Sequence, residues 1–215
     1  MNNAEWEVLK LQSQSGDFVM ACCGAPAVPK TSINGLHFFA HLADECGTAL
    51  ETAWHRAGKA AVLAALQSMG IEGREEAPGA SPQGQRWEAD VLFPVADRLI
   101  AIELQRSYQH LRDFTRRQQR YADSGVECYW LVRRETFFTL AKATSRLRLK
   151  RDFGNAWPPA GIGTGMLPEL PVAVLLTDAA PRVSFGLGKS AEVEEWLASL
   201  VAGQFQFRMG AWNIG

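Results

Sequence analysis

The fold of this chain is decided by two segments, Arg86-Trp-Glu-Ala-Asp90-Val-Leu-Phe93 and Ile100-Ala-Ile-Glu103-Leu-Gln105. Both are predicted to be strands, and side chains alternate between the faces of a strand, so Glu103 and Gln105 project from the same side. If Asp90 has the matching orientation on the neighbouring strand, the carboxylates of Asp90 and Glu103 converge on one divalent cation. Two hard oxygen donors, completed by water, suit Mg²⁺ or Mn²⁺ better than zinc. The pair therefore predicts a centre that cuts phosphodiester bonds.

The composition sets broad limits on the class of protein. The 215 residues are 47% hydrophobic, which is enough for one sizeable core with appendages or for two small domains. No apolar run approaches the roughly 18–20 residues that cross a bilayer, and we expect neither a membrane span nor a secretory leader. Four cysteines, unevenly placed, are too few for a disulfide framework. We therefore expect a cytoplasmic protein.

The net charge of -1 hides a strong segregation of charge along the chain. Residues 106–151 contain 12 Lys and Arg against 4 Asp and Glu, a local balance of +8. Such a block can hold a polyanion through contacts with phosphates, although runs of charge often are only solvated helix faces. Because it directly follows the two carboxylates, we favour nucleic acid as the partner. The candidate DNA-binding residues are Arg106, Arg112, Arg116, Arg117 and Arg120.

The order of predicted elements is distinctive. A helix over Thr48–Met69 is followed by strands at residues 71–76, Trp87–Val95 and Leu99–Gln105, with a loop over Pro78–Gly84 between the first two. A helix from Ser107 to Asp123 and a buried strand over Val126–Val132 complete an αβββαβ order. This order predicts an α/β fold.

The two ends of the chain are less regular. Residues 1–47 are predicted to form a small β-rich segment, with a strand around Trp6–Val8 and a hairpin turn at Asn34-Gly35. Residues 136–215 form a C-terminal α/β extension whose role the sequence does not indicate. Within it, Phe137–Ala143 is predicted to be a strand or a short helix, and Ser190–Leu200 an amphipathic helix. The division is therefore 1–47, 48–135 and 136–215.

Three polar residues recur at helical spacing on the first predicted helix. Glu51, His55 and Lys59 are each four residues apart and lie close to one stripe of that helix. Taken alone, the stripe is typical of an exposed ladder of charges. The alternative is that it faces the two carboxylates and supplies catalytic groups.

These motifs together resemble a PD-(D/E)xK-type nuclease and, more narrowly, the competence protein CoiA-like family. The matching motifs are His37-Phe-Phe-Ala-His41, Glu51-x3-His55-x3-Lys59, Arg86-x3-Asp90-Val, Ile102-Glu103-x-Gln105-x-Ser107, Arg117-x3-Tyr121 and the strand that carries Trp130. The resemblance covers roughly residues 18–135. No single motif is decisive, but their order and spacing are specific in combination.

The resemblance implies a restriction-endonuclease-like αβββαβ core with a mixed central sheet. It also implies a metal-dependent nuclease that acts on DNA in its uptake and processing, with Asp90 and Glu103 holding Mg²⁺ or Mn²⁺. One departure concerns the acid-x-lysine pattern of the superfamily, because the lysine position holds Gln105. An amide can orient water but carries no charge. Lys59 or His55 could supply the missing cation or proton carrier, and Glu51 could reach the metal.

Two other functions remain open at this stage. The absence of the lysine is compatible with a non-catalytic DNA-binding or recombination accessory module on a nuclease fold. A nuclease that defends against foreign DNA would use the same fold and ions.

A zinc site is conceivable near the N-terminus. A zinc ion there could stabilise a segment that lacks its own core. Its ligands would be Cys23 (or Cys22), His41 (or His37) and Cys46. Because Cys22 and Cys23 are adjacent, both sulfurs can reach one ion only awkwardly. A metal-free remnant of a zinc site is the favoured interpretation.

Overall fold

The computed structural model describes residues 2–14, 17–21, 24–32, 34–42, 53–107, 109–177, 180–186 and 188–215. The chain divides into two compact units, Met1–Thr52 and Ala53–Gly215. No helix among the described residues is both long enough and apolar enough to cross a membrane.

The N-terminal unit contains one helix and a small antiparallel sheet. The elements are α1 (Asn3–Gln12), β1 (Phe18–Val19), β2 (Pro26–Thr31) and β3 (His37–His41), and the strand order is β1-β2-β3. The hairpin between β2 and β3 contains Asn34-Gly35, as the turn signal predicted. Trp6 is buried against this sheet, stacked on His37, and its indole N–H donates to Thr31 Oγ1 at 3.0 Å.

The prediction of a strand around Trp6–Val8 is wrong, because these residues belong to α1. A reciprocal capping box starts this helix. The Asn2 side chain accepts a hydrogen bond from the Glu5 N–H, and the Glu5 carboxylate accepts one from the Asn2 N–H, both at 2.9 Å. These bonds satisfy backbone donors that a helix start leaves open, and they outweigh the short alternation of apolar residues.

The second unit is built on a seven-stranded sheet. In chain order its elements are α2 (Ala53–Ser68), β4 (Arg74–Ala80), β5 (Arg86–Val95), β6 (Arg98–Gln105), α3 (Leu111–Asp123), β7 (Val126–Val132), α4 (Arg134–Phe153), β8 (Val172–Leu176), β9 (Arg182–Phe185), β10 (Lys189–Glu192), α5 (Val193–Val201), β11 (Phe205–Arg208) and β12 (Ala211–Ile214). The sheet order is β10-β9-β8-β7-β6-β5-β4. Parallel pairs join β6 to β7 and β7 to β8, and the other pairs are antiparallel. The predicted α/β class with a mixed central sheet is confirmed.

Helices cover both faces of this sheet. On one face, α2 and α5 pack on Val91, Ile102 and Leu104. On the other, α3 and α4 pack on a second cluster that includes Ala101 and Trp130. Because successive residues of β6 enter opposite clusters, Glu103 and Gln105 lie on the face covered by α3.

Two segments differ from their prediction, each for its own physical reason. The residues predicted as a strand or short helix at Phe137–Ala143 belong to the 20-residue helix α4. Its buried side chains include Thr144 and Arg148, so its buried face is not an apolar stripe. Arg148 donates to the carbonyls of Gly163 and Met166 at 2.7 and 3.2 Å.

The predicted loop Pro78–Gly84 begins inside β4. This strand lies at the sheet edge, where proline is tolerated.

Gly58 sets how closely α2 approaches the sheet. A Cβ atom at this position would lie 2.2 Å from Leu104 Cδ2 and 2.7 Å from Leu175 Cδ2. Both leucines are buried, so the space is already filled. Only a glycine lets α2 pack at this distance without displacing core side chains.

We predict that Gly58→Val lowers the free energy of unfolding by about 1–3 kcal/mol, because overpacking outweighs the small gain in helix propensity. The control is Ala57→Val on the exposed face of the same helix, with an expected loss below about 0.7 kcal/mol. Urea denaturation followed by tryptophan fluorescence measures both. Equal losses for the two variants would contradict the packing argument.

Candidate active site

The carboxylates of Asp90 and Glu103 lie on adjacent antiparallel strands. Val91 pairs with Ile102, and one further step along this register sets Asp90 opposite Glu103. Asp90 Oδ2 accepts a hydrogen bond from the Leu104 N–H at 2.6 Å. The Asp90 carboxylate thus accepts from a backbone N–H of β6 just beyond the last residues that pair with β5. This hydrogen bond holds the carboxylate beside Glu103.

The backbone is irregular around Asp90. Ala89 and Leu92 belong to the same core cluster, although strict alternation would send residues three apart to opposite faces. On the neighbouring strand, Glu76 has a φ of 44°, in the left-handed region that side chains larger than glycine seldom adopt. Such strain persists only where its surroundings hold it, and the Glu76 carboxylate here contacts Lys59 of α2.

Glu103 is buried and held by two residues of α3. Only 3% of this residue is exposed to solvent. Arg117 donates to Oε2 at 2.6 Å, and the Tyr121 hydroxyl donates to Oε1. Arg117 and Tyr121 are four residues apart, so one face of α3 presents both donors. Both oxygens of the carboxylate are therefore engaged from the same helix.

Burial raises the pKa of Glu103 to about 7. Removal from water disfavours the charged form, and the nearby Asp90 carboxylate adds to the rise. The Arg117 charge and the hydrogen bonds from Tyr121 and Arg117 oppose it. The pKa of Tyr121 is also raised, by its own burial and by the Glu103 carboxylate. Glu103 therefore changes charge close to neutral pH.

Gln105 shares the guanidinium that binds Glu103. Its Oε1 accepts from Arg117 at 3.0 Å, and its Nε2 donates to the Ser107 carbonyl at 3.1 Å. The Arg117 guanidinium also lies 4.7 Å from the centre of the Trp130 ring. Arg117 thus supplies a positive charge beside the acid-x-amide pair, from α3 rather than from the strand itself.

His55 and Lys59 approach from the opposite layer. His55 Nε2 lies 3.0 Å from Asp90 Oδ1. One turn later Lys59 Nζ contacts Glu76 and lies 3.3 Å from Glu75 Oε2, with only 7% of its side chain exposed. Two members of the predicted stripe therefore face the site and are not an exposed ladder. Its third member, Glu51, falls outside the described residues.

The donors and the charge of this site fit a divalent cation. Six side chains, four of them carboxylates, sum to a charge of −2 when ionised: Asp90, Glu103, Glu75, Glu76, Lys59 and Arg117. Each carboxylate oxygen has two lone-pair positions, so Asp90 and Glu103 keep capacity for a further bond. Mg²⁺ commonly binds one or two carboxylates and fills its shell with water. Among the described residues no three His, Cys, Asp or Glu side chains form a metal-binding cluster, so the site offers these two carboxylates.

The other arginines predicted to bind DNA are not equivalent. Arg106 is exposed, as are 82% of the Arg112 side chain and 60% of that of Arg116. Arg120 is only half-buried, and its Nη1 donates to the Arg86 carbonyl at 3.5 Å. Arg117, in contrast, lies inside the site. The three exposed arginines are therefore the members of this group that can meet a polyanion directly.

The predicted zinc ligands cannot be placed. Cys23 and Cys46, and the side chain of His41, fall outside the described residues, so the zinc site and the favoured metal-free remnant both stay predictions.

Four residues of the site were not predicted to belong to it: Tyr121, Trp130, Glu75 and Glu76. The spacing of Arg117-x3-Tyr121 is a usable signal for Tyr121, because residues four apart share a helix face. Glu75 and Glu76 carry no such signal. They reach Lys59 only through the pairing of β4 with β5.

Comparison with known proteins gives one family. Residues 51–152 match the family model described as "Competence protein CoiA, nuclease-like domain". No curated protein matches the chain. The matched range contains α2, β4–β6, α3, β7 and most of α4, and thus every described residue of the candidate site.

We predict that Tyr121→Phe lowers the free energy of unfolding by about 1–3 kcal/mol at pH 8 and by less at pH 5. The sign follows from the raised pKa of Glu103, about 7 in the folded protein. At pH 8 the hydroxyl supports a buried carboxylate, whereas at pH 5 the folded protein keeps a proton on Glu103 and needs that support less.

The control is Tyr129→Phe, which removes a hydroxyl that donates to Glu127 Oε2 at 3.0 Å. Hydrogen bonds from Arg98 hold the pKa of Glu127 below its usual value, so its carboxylate is ionised at both pH values. The loss for Tyr129→Phe is therefore expected to be the same at pH 5 and pH 8. Urea denaturation at the two pH values measures both variants. A loss for Tyr121→Phe that does not change with pH would contradict the assignment.

Proposed function

We propose that this chain, whose residues 51–152 match the family model of the competence protein CoiA nuclease-like domain, is a metal-dependent nuclease that hydrolyses phosphodiester bonds of DNA, in DNA uptake, processing or recombination. The observation that carries this proposal is the juxtaposition of Asp90 and Glu103 on adjacent strands, with His55 of α2 against Asp90 and Arg117 of α3 against Glu103.

Asp90 and Glu103 are the residues that would hold Mg²⁺ or Mn²⁺. When bound, such an ion neutralises phosphate charge and acidifies water. The net negative charge of the six side chains supports this assignment, because a dication balances it. The raised pKa of Glu103 supports it as well, since that carboxylate gains from any further positive charge nearby.

The remaining residues have roles that follow from their contacts. Arg117 and Tyr121 keep the Glu103 carboxylate in one orientation, and Arg117 does the same for the Gln105 amide. An oriented amide can position a water molecule by hydrogen bonding. The positive charge that the superfamily lysine supplies would come here from Arg117, with Lys59 as a second, buried source.

His55 is the candidate proton carrier. In a neutral imidazole, the contact between Nε2 and Asp90 Oδ1 favours the tautomer that carries its proton on Nε2. An imidazole held against this carboxylate can carry a proton between water and the departing oxygen. Asp90 would thus both orient His55 and hold the metal.

We predict that Asp90→Asn and Glu103→Gln each lower DNA cleavage by about 100-fold or more, because each removes an anionic metal ligand. The assay is cleavage of plasmid and linear DNA with Mg²⁺ or Mn²⁺, and EDTA should abolish it. The control is Glu127→Gln, the same substitution on the neighbouring strand β7, which should cleave like the parent. Equal cleavage by parent, Asp90→Asn and Glu103→Gln would discard the site.

Metal binding can be measured without activity. We predict that the parent chain binds Mn²⁺ in an electron paramagnetic resonance titration, and that Asp90→Asn weakens this binding about tenfold or more. Glu127→Gln should bind Mn²⁺ like the parent. Parent and Asp90→Asn curves that coincide would rule out Asp90 as a ligand.

A second function is favoured by one specific observation. Both oxygens of Glu103 already have protein partners, and Gln105 stands where the superfamily carries lysine. This arrangement is compatible with a non-catalytic DNA-binding or recombination module on a nuclease fold. DNA binding by the parent, with no cleavage in any metal, would select this function over hydrolysis.

A further inference from the structure

A cleft lies at the end of two parallel strands, beside the candidate active site. Its volume is about 580 Å³, and it is lined by Arg106, Arg133, Glu135, Thr136 and Thr139. Gln105, the last residue of β6, pairs with Val132, the last residue of β7. Arg106 and Arg133 directly follow these two residues, so two neighbouring strands deliver arginines to the same cleft.

The wall of the cleft is fixed to the sheet. Thr136, in the first turn of α4, is buried, and its hydroxyl donates to the Arg106 carbonyl at 2.9 Å. One turn further, the Thr139 hydroxyl donates to the Glu135 carbonyl at 3.0 Å. The hydrogen bond of Thr136 ties the start of α4 to the end of β6, so the cleft keeps its shape through packing of regular elements.

The cleft presents positive charge that its own acid neutralises only weakly. Arg106 makes no ion pair within the part of the chain that the structure describes. Arg133 Nε lies 3.7 Å from Glu135 Oε2, and these side chains are 44% and 74% exposed. Exposed pairs at such distances contribute little stability, so a competing oxyanion can replace the carboxylate. The start of the 20-residue helix α4 adds partial positive charge to the same place.

We propose that this cleft binds a backbone phosphate of the DNA strand that flanks the cleaved bond. The identity of the ligand as DNA rests on the proposed function. Arg106 follows Glu103 by three residues, roughly 10 Å along a strand, which corresponds to about three steps of ~3.4 Å along a DNA duplex. Planar guanidinium groups pair with two phosphate oxygens at once, which a lysine cannot do. The cleft therefore fixes the position of the strand and is blind to its sequence.

The test is binding of a fluorescein-labelled DNA duplex by the full chain, followed by fluorescence anisotropy at several salt concentrations with EDTA present. Arg133→Ala and Arg106→Ala are each expected to raise Kd about tenfold and to reduce the slope of log K against log salt by about one. The matched control is Arg134→Ala. Arg134 is exposed, belongs to the same end of α4 and carries the same charge, but does not line the cleft. Its Kd should change less than about twofold.

The outcomes separate this inference from the proposed hydrolysis. Equal effects of Arg133→Ala and Arg134→Ala would overturn the cleft as a site, because only general charge would then matter. Metal-dependent cleavage by the parent, with unchanged Kd and KM in Arg133→Ala, would overturn the cleft and leave the nuclease intact. Selective loss of binding in Arg133→Ala, without cleavage by the parent, would support the cleft and remove the nuclease. Unchanged melting temperatures show that the exposed substitutions leave the fold intact.

Discussion

The buried ion pair between Glu103 and Arg117 is the interaction on which the candidate site depends. A carboxylate that loses its water costs several kcal/mol unless a partner compensates, and the pKa of Glu103, raised to about 7, shows that compensation is incomplete. Arg117 and Tyr121 provide it from one face of α3. The position of α3 over β6 is therefore set by charge as well as by apolar packing. Trp130 of β7 lies against the same guanidinium.

This pair also gives a physical reason for the amide at residue 105. The Gln105 Oε1 accepts from Arg117, which a lysine in that position could not do, since lysine has no acceptor. A lysine would add a like charge beside a half-buried guanidinium. The positive charge beside Glu103 thus comes from α3, and β6 carries a neutral group compatible with it.

The site joins two layers that touch opposite faces of the sheet. His55 and Lys59 come from α2, whereas Arg117 and Tyr121 come from α3. His55 reaches Asp90 and Arg117 reaches Glu103, and these two carboxylates lie on adjacent strands beside Glu76, which has a left-handed conformation. Gly58 allows α2 to approach closely enough for this contact. Local strain and close packing therefore serve the same arrangement.

Local patterns in the sequence determined the αβββαβ order, the shared face of Glu103 and Gln105 and the helical stripe of His55 and Lys59, because the periods of strands and helices depend only on neighbouring residues. They did not determine the length of α4, whose buried face is partly polar, or the start of α1, where a cap outweighs a weak alternation. Only the tertiary structure decided three other features. They are the ion pairs of Lys59 with Glu75 and Glu76, the hydrogen bonds from Arg117 and Tyr121 to Glu103, and the cleft that Arg106 and Arg133 both line. Each joins residues from different elements, and such contacts follow from strand order and helix packing, which no local pattern encodes.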